Sequence, residues 1–239
     1  MEFFAHRGLS GAAPENTAAA FQLGQSHGLL WTELDVLFTA DDVPVICHDD
    51  GLQRFGHDLS ISEQPWSALR HLDMGSWFDP DFADQTLLTL ADALALLAPG
   101  QTGVNIELKP ELYGRLSGPR SLALTRQFAA AEAQGLQLLL SSFDPRLVNW
   151  CRQHCPETPR AVLVEGPLTR AHEQLAELAA ASALHIEDPH TRADDIHRIK
   201  ALGLASRVYT VNDPQRARTL ASWGCDGIFT DLLSPEVIR

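Results

Sequence analysis

The chain has 239 residues, of which 45% are hydrophobic and 21% charged, and its formal net charge is −13. That balance excludes a disordered chain, and an acidic surface without a Lys/Arg-rich run argues against a nucleic-acid partner. No stretch approaches the roughly 18 consecutive apolar residues of a membrane span, so no stable membrane insertion is expected. No basic segment followed by an apolar run and a cleavage site opens the chain, and a cytoplasmic protein is expected. Cys47, Cys151, Cys155 and Cys225 include no C-x-x-C pair and read as reduced thiols rather than zinc ligands.

The predicted elements start with a strand over residues 2–5, a helix over 17–27 and a strand over 30–37. A hairpin-like piece over 38–47 follows, turning at Ala40-Asp41-Asp42. The polar stretch after it, punctuated by Gly51, Gly56, Pro65, Gly75 and Pro80, makes 49–84 a small insertion over the barrel mouth. Trp66 is expected to pack that insertion down; Trp77 and Phe78 suit packing and the lining of a substrate entrance equally well. Beyond it come helices at 90–97, 121–133, 146–153, 169–181, 193–202 and 214–223. Strands at 103–108, 136–141, 160–164, 183–187, 207–211 and 227–230 alternate with them. Eight such strands imply a parallel sheet covered by helices. The length is close to the ~250 residues of one (β/α)8 barrel. With no Gly-x-Gly-x-x-Gly turn, a single (β/α)8 TIM barrel spanning 1–239 is favoured over a doubly wound fold.

The chemistry-bearing residues fall where these strands end, which in such barrels is where catalytic groups gather. His6-Arg7-Gly8 follows the first strand, Glu33-Leu34-Asp35 ends the second, His48-Asp49 comes next, and Asn105-Ile106-Glu107-Leu108-Lys109 ends the third. Residues two apart on a strand share a face, so Glu33 pairs with Asp35 and Glu107 with Lys109, while Leu34 and Leu108 face away. All-oxygen ligation by Glu33, Asp35 and Glu107 suits one hard divalent cation, Mg2+ or Ca2+. Arg7 offers a planar fork for phosphate oxygens and Lys109 a further positive charge. His6 and His48 suit an acid/base pair, because an ordinary imidazole titrates near pH 6.5. His27, His57, His71, His154, His172 and His197 read as structural groups.

The chain resembles the glycerophosphodiester phosphodiesterase family in its compact bacterial form. The likeness rests on His6-Arg7-Gly8, Pro14-Glu15-Asn16-Thr17, Glu33-Leu34-Asp35-Val36, Thr39, Asp41 and His48-Asp49. It continues through Leu72-Asp73, Trp77-Phe78, Asn105 to Lys109, Ser142-Phe143, Thr210-Val211-Asn212 and Gly224-Cys225-Asp226-Gly227-Ile228. The resemblance implies a barrel enzyme that hydrolyses small glycerophosphodiesters to sn-glycerol 3-phosphate and an alcohol. It implies His6 and His48 as the acid/base pair, Glu33, Asp35 and Glu107 as metal ligands, and Arg7, Lys109, Phe143 and Tyr209 as substrate contacts. Glu15 and Asn16 are expected to cap the first helix and brace the loop of His6, with Asn212 a further support. Three positions depart from the family's pattern and bear on substrate preference and rim shape. Phe55 and Gly56 follow Arg54 where threonines are usual, Tyr209 replaces a tryptophan, and Asp42 stands where glycine is usual.

Other readings are a lysophospholipase D-type enzyme, a sugar-phosphate isomerase or aldolase, and a barrel that binds phosphodiesters without turning them over. The isomerase or aldolase would need a phosphate-gripping glycine loop after strand seven or eight, or a Schiff-base lysine, and Gly224-Cys225-Asp226-Gly227 is only a weak candidate for the loop. A mere binder has no use for a paired acid and base.

Overall fold

The computed structural model describes residues 1–238. Its ten strands are β1 (Glu2–Ala5), β2 (Trp31–Phe38), β3 (Pro44–Ile46), β4 (Leu88–Thr89), β5 (Gly103–Leu108), β6 (Gln137–Ser142), β7 (Arg160–Val164), β8 (Ala183–Glu187), β9 (Ala205–Tyr209) and β10 (Gly227–Thr230). Eight of them run parallel in the order β1-β2-β5-β6-β7-β8-β9-β10, and pairing of β10 with β1 closes a (β/α)8 barrel. β3 and β4 are antiparallel additions; β3 pairs with the far half of β2, where Phe38 faces Pro44. The helices are α1 (Ala18–Ser26), α2 (Trp66–Leu69), α3 (Leu90–Leu97), α4 (Gly118–Ala133), α5 (Pro145–His154), α6 (Arg170–Leu178), α7 (Ala193–Ala201) and α8 (Pro214–Ser222). Among the described residues no helix is long and apolar enough to cross a membrane.

Most elements lie within three residues of where the periodicity places them; α4 begins three residues early at Gly118 and α6 ends three early at Leu178. β9 is displaced as a whole: it begins at Ala205 and ends at Tyr209, two residues earlier than expected. Its register is set by Ala183 opposite Ala205 and Glu187 opposite Tyr209, after which the chain turns to Asp213, the cap of α8. The strand-favouring run Val208-Tyr209-Thr210-Val211, β-branched and aromatic, carries the expectation past that end. Asp42, where the resemblance led one to expect glycine, adopts φ 68 in the β2–β3 turn, the left-handed region that glycine enters most readily. Its carboxylate is held by Arg115 and Arg120 at 3.0 and 2.7 Å.

Apolar residues of β2, β5 and β6 pack outward against α1, α3, α4 and α5, with Leu34, Val36, Ile106, Leu108 and Phe128 at the centre of that cluster. A second cluster joins β1 and β7–β10 to α6–α8. Inside the barrel, Phe4, Leu139, Ala161, Ala183 and Phe229 fill the space. Bulk is matched to absence here: a Cβ on Gly103 would lie 2.4 Å from the Trp31 ring. The segment between β3 and β4 has its own apolar cluster, including Leu52, Phe55, Ile61 and Leu69, against which Trp66 packs as expected. Trp77 and Phe78 belong to an edge-to-face chain running Phe55–Trp77–Phe78–Phe82, and the Trp77 indole donates to Met74 O at 2.8 Å. Packing is therefore what occupies that pair.

His185 on β8 sits inside this interior, fully buried, its ring 4.9 Å from Phe229 and neither ring nitrogen paired. Burial, with the charge of Arg207 nearby, pushes it well below its ordinary 6.5. The unfolded chain then binds a proton below that pH which the folded chain excludes. Stability should fall as pH drops through 6.5, by up to about 1.4 kcal/mol per pH unit from this group. His185→Leu should flatten that slope in urea titrations at about pH 7.5 and about pH 5. An unchanged slope would show that the imidazole charges freely in the folded protein.

Candidate active site

At the C-terminal ends of the barrel strands a cavity of about 380 Å3 opens, lined by His6, Arg7, Glu33, His48, Asn105, Glu107, Phe143, Glu187, Tyr209 and Phe229 among others. Why His6 and Arg7 point into it is a matter of backbone. Arg7 adopts φ 55 and Gly8 φ 79, so the chain turns sharply as it leaves β1. Only glycine fits the second position, since a Cβ there would lie 2.6 Å from the backbone of Ala20 in α1. The turn aims the Arg7 N–H at Glu33 Oε2, 2.9 Å away. Its guanidinium reaches Glu15 at 3.1 Å and Asp35 at 3.3 Å.

Glu33, Asp35 and Glu107 are all buried, and each offers an oxygen within 4.8 Å of the others. Asp35 and Glu107 are direct neighbours across the β2–β5 pairing. Lys109 Nζ donates to Glu107 at 2.8 Å and lies 3.5 Å from Asp35, while Asn16 Nδ2 donates to Asp35 at 2.9 Å. The electrostatics are unequal. Burial and the charges of Asp35 and Glu107 push Glu33 well above the ordinary carboxylate range, against the pull of Arg7. Burial and Asp35 also raise Glu107. Asp35 goes the other way: burial disfavours its charge, but Arg7, Lys109 and His48 outweigh that and keep it ionised. Three acids facing two cations leave an excess negative charge, and among the described residues Asp35 Oδ1 has no hydrogen-bond partner. The residues therefore fit a hard cation, and the all-oxygen donor set can hold one.

Each histidine is tied to its own carboxylate. His6 Nδ1 lies 2.7 Å from Asp231 Oδ1, and His48 Nδ1 lies 2.7 Å from Asp49 Oδ1. In each ring Nε2 has no hydrogen-bond partner among the described residues. Asp231 is half-buried, which opposes ionisation, yet hydrogen bonds from His6, Asn212 and Ser10 hold it at about 2. Burial, with Arg7 and Lys109 nearby, keeps His48 below its usual value in spite of Asp35.

All the anticipated residues meet at this end of the barrel, but three behave differently from expectation. Glu15 and Asn16 do not cap α1. Thr17 does, its hydroxyl accepting from Ala20 N, because Asn16 at φ 57 turns its amide onto Asp35 instead. Glu15 receives Arg54 at 2.8 and 2.6 Å, clamping the segment after β3 to the Arg7 loop. Lys109 spends its amine on Glu107 and Asp35 rather than on the cavity wall. The Asn212 amide donates to Asp231 at 2.7 Å. Phe143 and Tyr209 line the far wall, rings 6.0 Å apart and edge to face. The reading of the residues missed Asp231, Arg54 and Glu187. Asp231 could have been found only by knowing that β10 closes onto β1. Among the bland histidines, His57 is anchored to Asp73 O at 2.8 Å and His172 to the start of α6.

A closed eight-stranded barrel with buried acids and two carboxylate-anchored imidazoles at its C-terminal rim defines a phosphoester-processing class of site. A model of the glycerophosphoryl diester phosphodiesterase family matches residues 6–234, and the chain belongs to that family and is a phosphoric diester hydrolase. The Bacillus subtilis protein YhdW is 32% identical over 247 residues, covering 97% of this chain and 94% of its own. The fold matches that of an Oleispira antarctica phosphodiesterase, solved in complex with the product sn-glycerol-3-phosphate, with TM-score 0.91 and 33% identity, covering 100% of this chain and 95% of that one. A glycerophosphodiester phosphodiesterase from Agrobacterium tumefaciens is 27% identical with TM-score 0.81, covering 100% and 98%.

If the acids share an ion, Mg2+ or Ca2+ should raise Tm, by about 2.7 kcal/mol of stabilisation at a hundredfold excess over Kd. Glu33→Gln should abolish that shift while leaving the cation-free protein as stable or more so, because it removes a repelled charge. A Tm that ignores both cations in the wild type would remove the triad as a site.

Proposed function

We propose that the chain hydrolyses glycerophosphodiesters to sn-glycerol 3-phosphate and an alcohol, with His6 and His48 dividing the proton transfers. The observation that carries this is their shared setting: two imidazoles, each fixed by a carboxylate at 2.7 Å through Nδ1, line one cavity with Glu33 and Glu107, and Asp35 lies just behind these two acids. A carboxylate on Nδ1 sets the tautomer and leaves Nε2 free to take or give a proton. One ring deprotonates the attacking hydroxyl or water and the other protonates the departing alkoxide. Arg7 binds a phosphoryl oxygen on the cavity side, while Lys109 balances the charge of Glu107 and Asp35 behind it. Phe143 and Tyr209 exclude water from the opposite wall.

Glu33, Asp35 and Glu107 would hold one divalent cation, Mg2+ or Ca2+, which when bound polarises a phosphoryl oxygen. Asn16 and Asn212 orient Asp35 and Asp231. We assign the whole chain to one catalytic domain, with 49–84 an insertion beside the mouth. Four free, buried cysteines support a reducing compartment, the cytoplasm. The isomerase reading loses its phosphate loop, because Gly227 starts β10 at the opposite end of the barrel, against Phe4 and Arg207.

Glycerophosphocholine should be turned over to glycerol 3-phosphate, measured with a coupled dehydrogenase, and EDTA should stop the reaction until Mg2+ or Ca2+ is restored. His6→Ala and His48→Ala should each lower kcat by about 10²–10⁴ with the fold intact. Near-normal rates in either variant would defeat the acid/base pairing, and turnover in EDTA would remove the ion from the mechanism.

A further inference from the structure

We infer that the β8–β9 wall of the cavity receives the alcohol arm of the substrate, and that Glu187, with the Phe143–Tyr209 pair, selects an alcohol bearing a positive charge. This rests on the phosphodiesterase reading above and names its substrate class.

Position comes first. In the closed order β1-β2-β5-β6-β7-β8-β9-β10, β8 lies four strands from β2 and β9 four strands from β5. Glu187 and Tyr209 therefore stand diametrically across the mouth from Glu33, Asp35 and Glu107. A diester whose phosphate sits among the acids, Arg7 and the two histidines has one arm directed at that wall. Glu187 and Tyr209 are register partners at the ends of their strands, and both line the cavity.

Chemistry comes second. Glu187 Oε2 accepts the Gly166 N–H at 2.8 Å, which fixes the carboxylate without neutralising it. Among the described residues no lysine or arginine pairs with Glu187, and its one basic neighbour is the His190 ring at 3.6 Å. Next to it, Asp188 is matched by Arg216 at 2.7 Å, whereas Glu165, at the end of β7, adds its negative charge to that of Glu187 beside Tyr209. Arg7 and Lys109, the cations of the opposite side, are engaged with carboxylates there. The Tyr209 hydroxyl donates to Val164 O at 2.7 Å, which ties it into the wall and leaves the ring as the contact surface. Its centroid lies 6.0 Å from that of Phe143.

An unneutralised carboxylate beside aromatic rings is the donor set that recognises an ammonium group, above all a quaternary one with no N–H to donate. A neutral polyol gains little from it, and an anionic head group is repelled. Specificity then lies in the difference between arms, since the phosphate and glycerol contacts are common to all.

The test compares kcat/KM for glycerophosphocholine and glycerophosphoglycerol with the full chain and its divalent cation. The wild type should favour the choline ester by about tenfold. Glu187→Gln, whose amide oxygen still accepts the Gly166 N–H, should bring that ratio close to one, chiefly through KM for the choline ester. Tetramethylammonium should compete with the neutral ester in the wild type, which decides the matter even if the variant does not fold. Equal losses on both esters would place the shared glycerol on this wall and overturn the assignment, as would a wild type without preference. Failure to turn over either ester would instead sink the phosphodiesterase reading and take this one with it.

Discussion

Three carboxylates buried at one end of β2 and β5 set the terms for the rest of this molecule. Burial leaves little solvent to spread their charge, so the protein supplies compensation within a few ångströms. Arg7 and Lys109 do so, Arg7 from the loop after β1 and Lys109 from the residue after β5. Bringing Arg7 there requires the left-handed turn at φ 55 followed by glycine, closely packed on α1. The His-Arg-Gly signature is thus explained from two sides, by charge at Arg7 and by space at Gly8. Even so, compensation is incomplete, and the raised carboxylates of Glu33 and Glu107 record the deficit.

The two histidines are positioned by different kinds of structure. His48 takes its partner from the adjacent residue, Asp49, so that pair is local to the chain leaving β3. His6 takes Asp231 from the far end of the sequence, and the pair exists only because β10 docks beside β1. Closure of the barrel and assembly of the site are therefore one event. Glu15 adds a second tie by holding both Arg7 and Arg54, which couples the segment after β3 to the loop of His6. Arg54 also lies over Phe55 and Trp77, so the aromatic packing of that segment sets the angle of the clamp.

Much of this was legible before any coordinates, for identifiable reasons. Alternating apolar runs located the strands, and residues two apart on β2 and β5 had to share a face, so the triad followed from spacing. Partners brought in by closure, such as Asp231, leave no local trace. Nor do partners chosen among competing hydrogen bonds. Glu15 and Asn16 sit where a helix cap is expected, yet Glu15 is taken up by Arg54 and Arg7 and Asn16 by the buried Asp35, and Thr17 caps the helix instead. β9 was misplaced by two residues because β-branched side chains continue past its end, whereas its limits are set by pairing with β8.

The mouth that results is divided. From β1 through β5 it is charged, with His6, Arg7 and Lys109 each held by a carboxylate. From β6 through β10 it is lined by Phe143, Leu163, Tyr209 and Phe229, with Glu187 as the carboxylate among these cavity-lining residues. Every strand of a closed barrel ends at the same rim, so the two halves can differ in side chains while sharing one backbone frame. Changes on the aromatic half alter which arm is welcomed without disturbing the carboxylates opposite. Tyr209, which stands where the resemblance leads one to expect tryptophan, lies on this half, where a change of aromatic ring costs no charge balance.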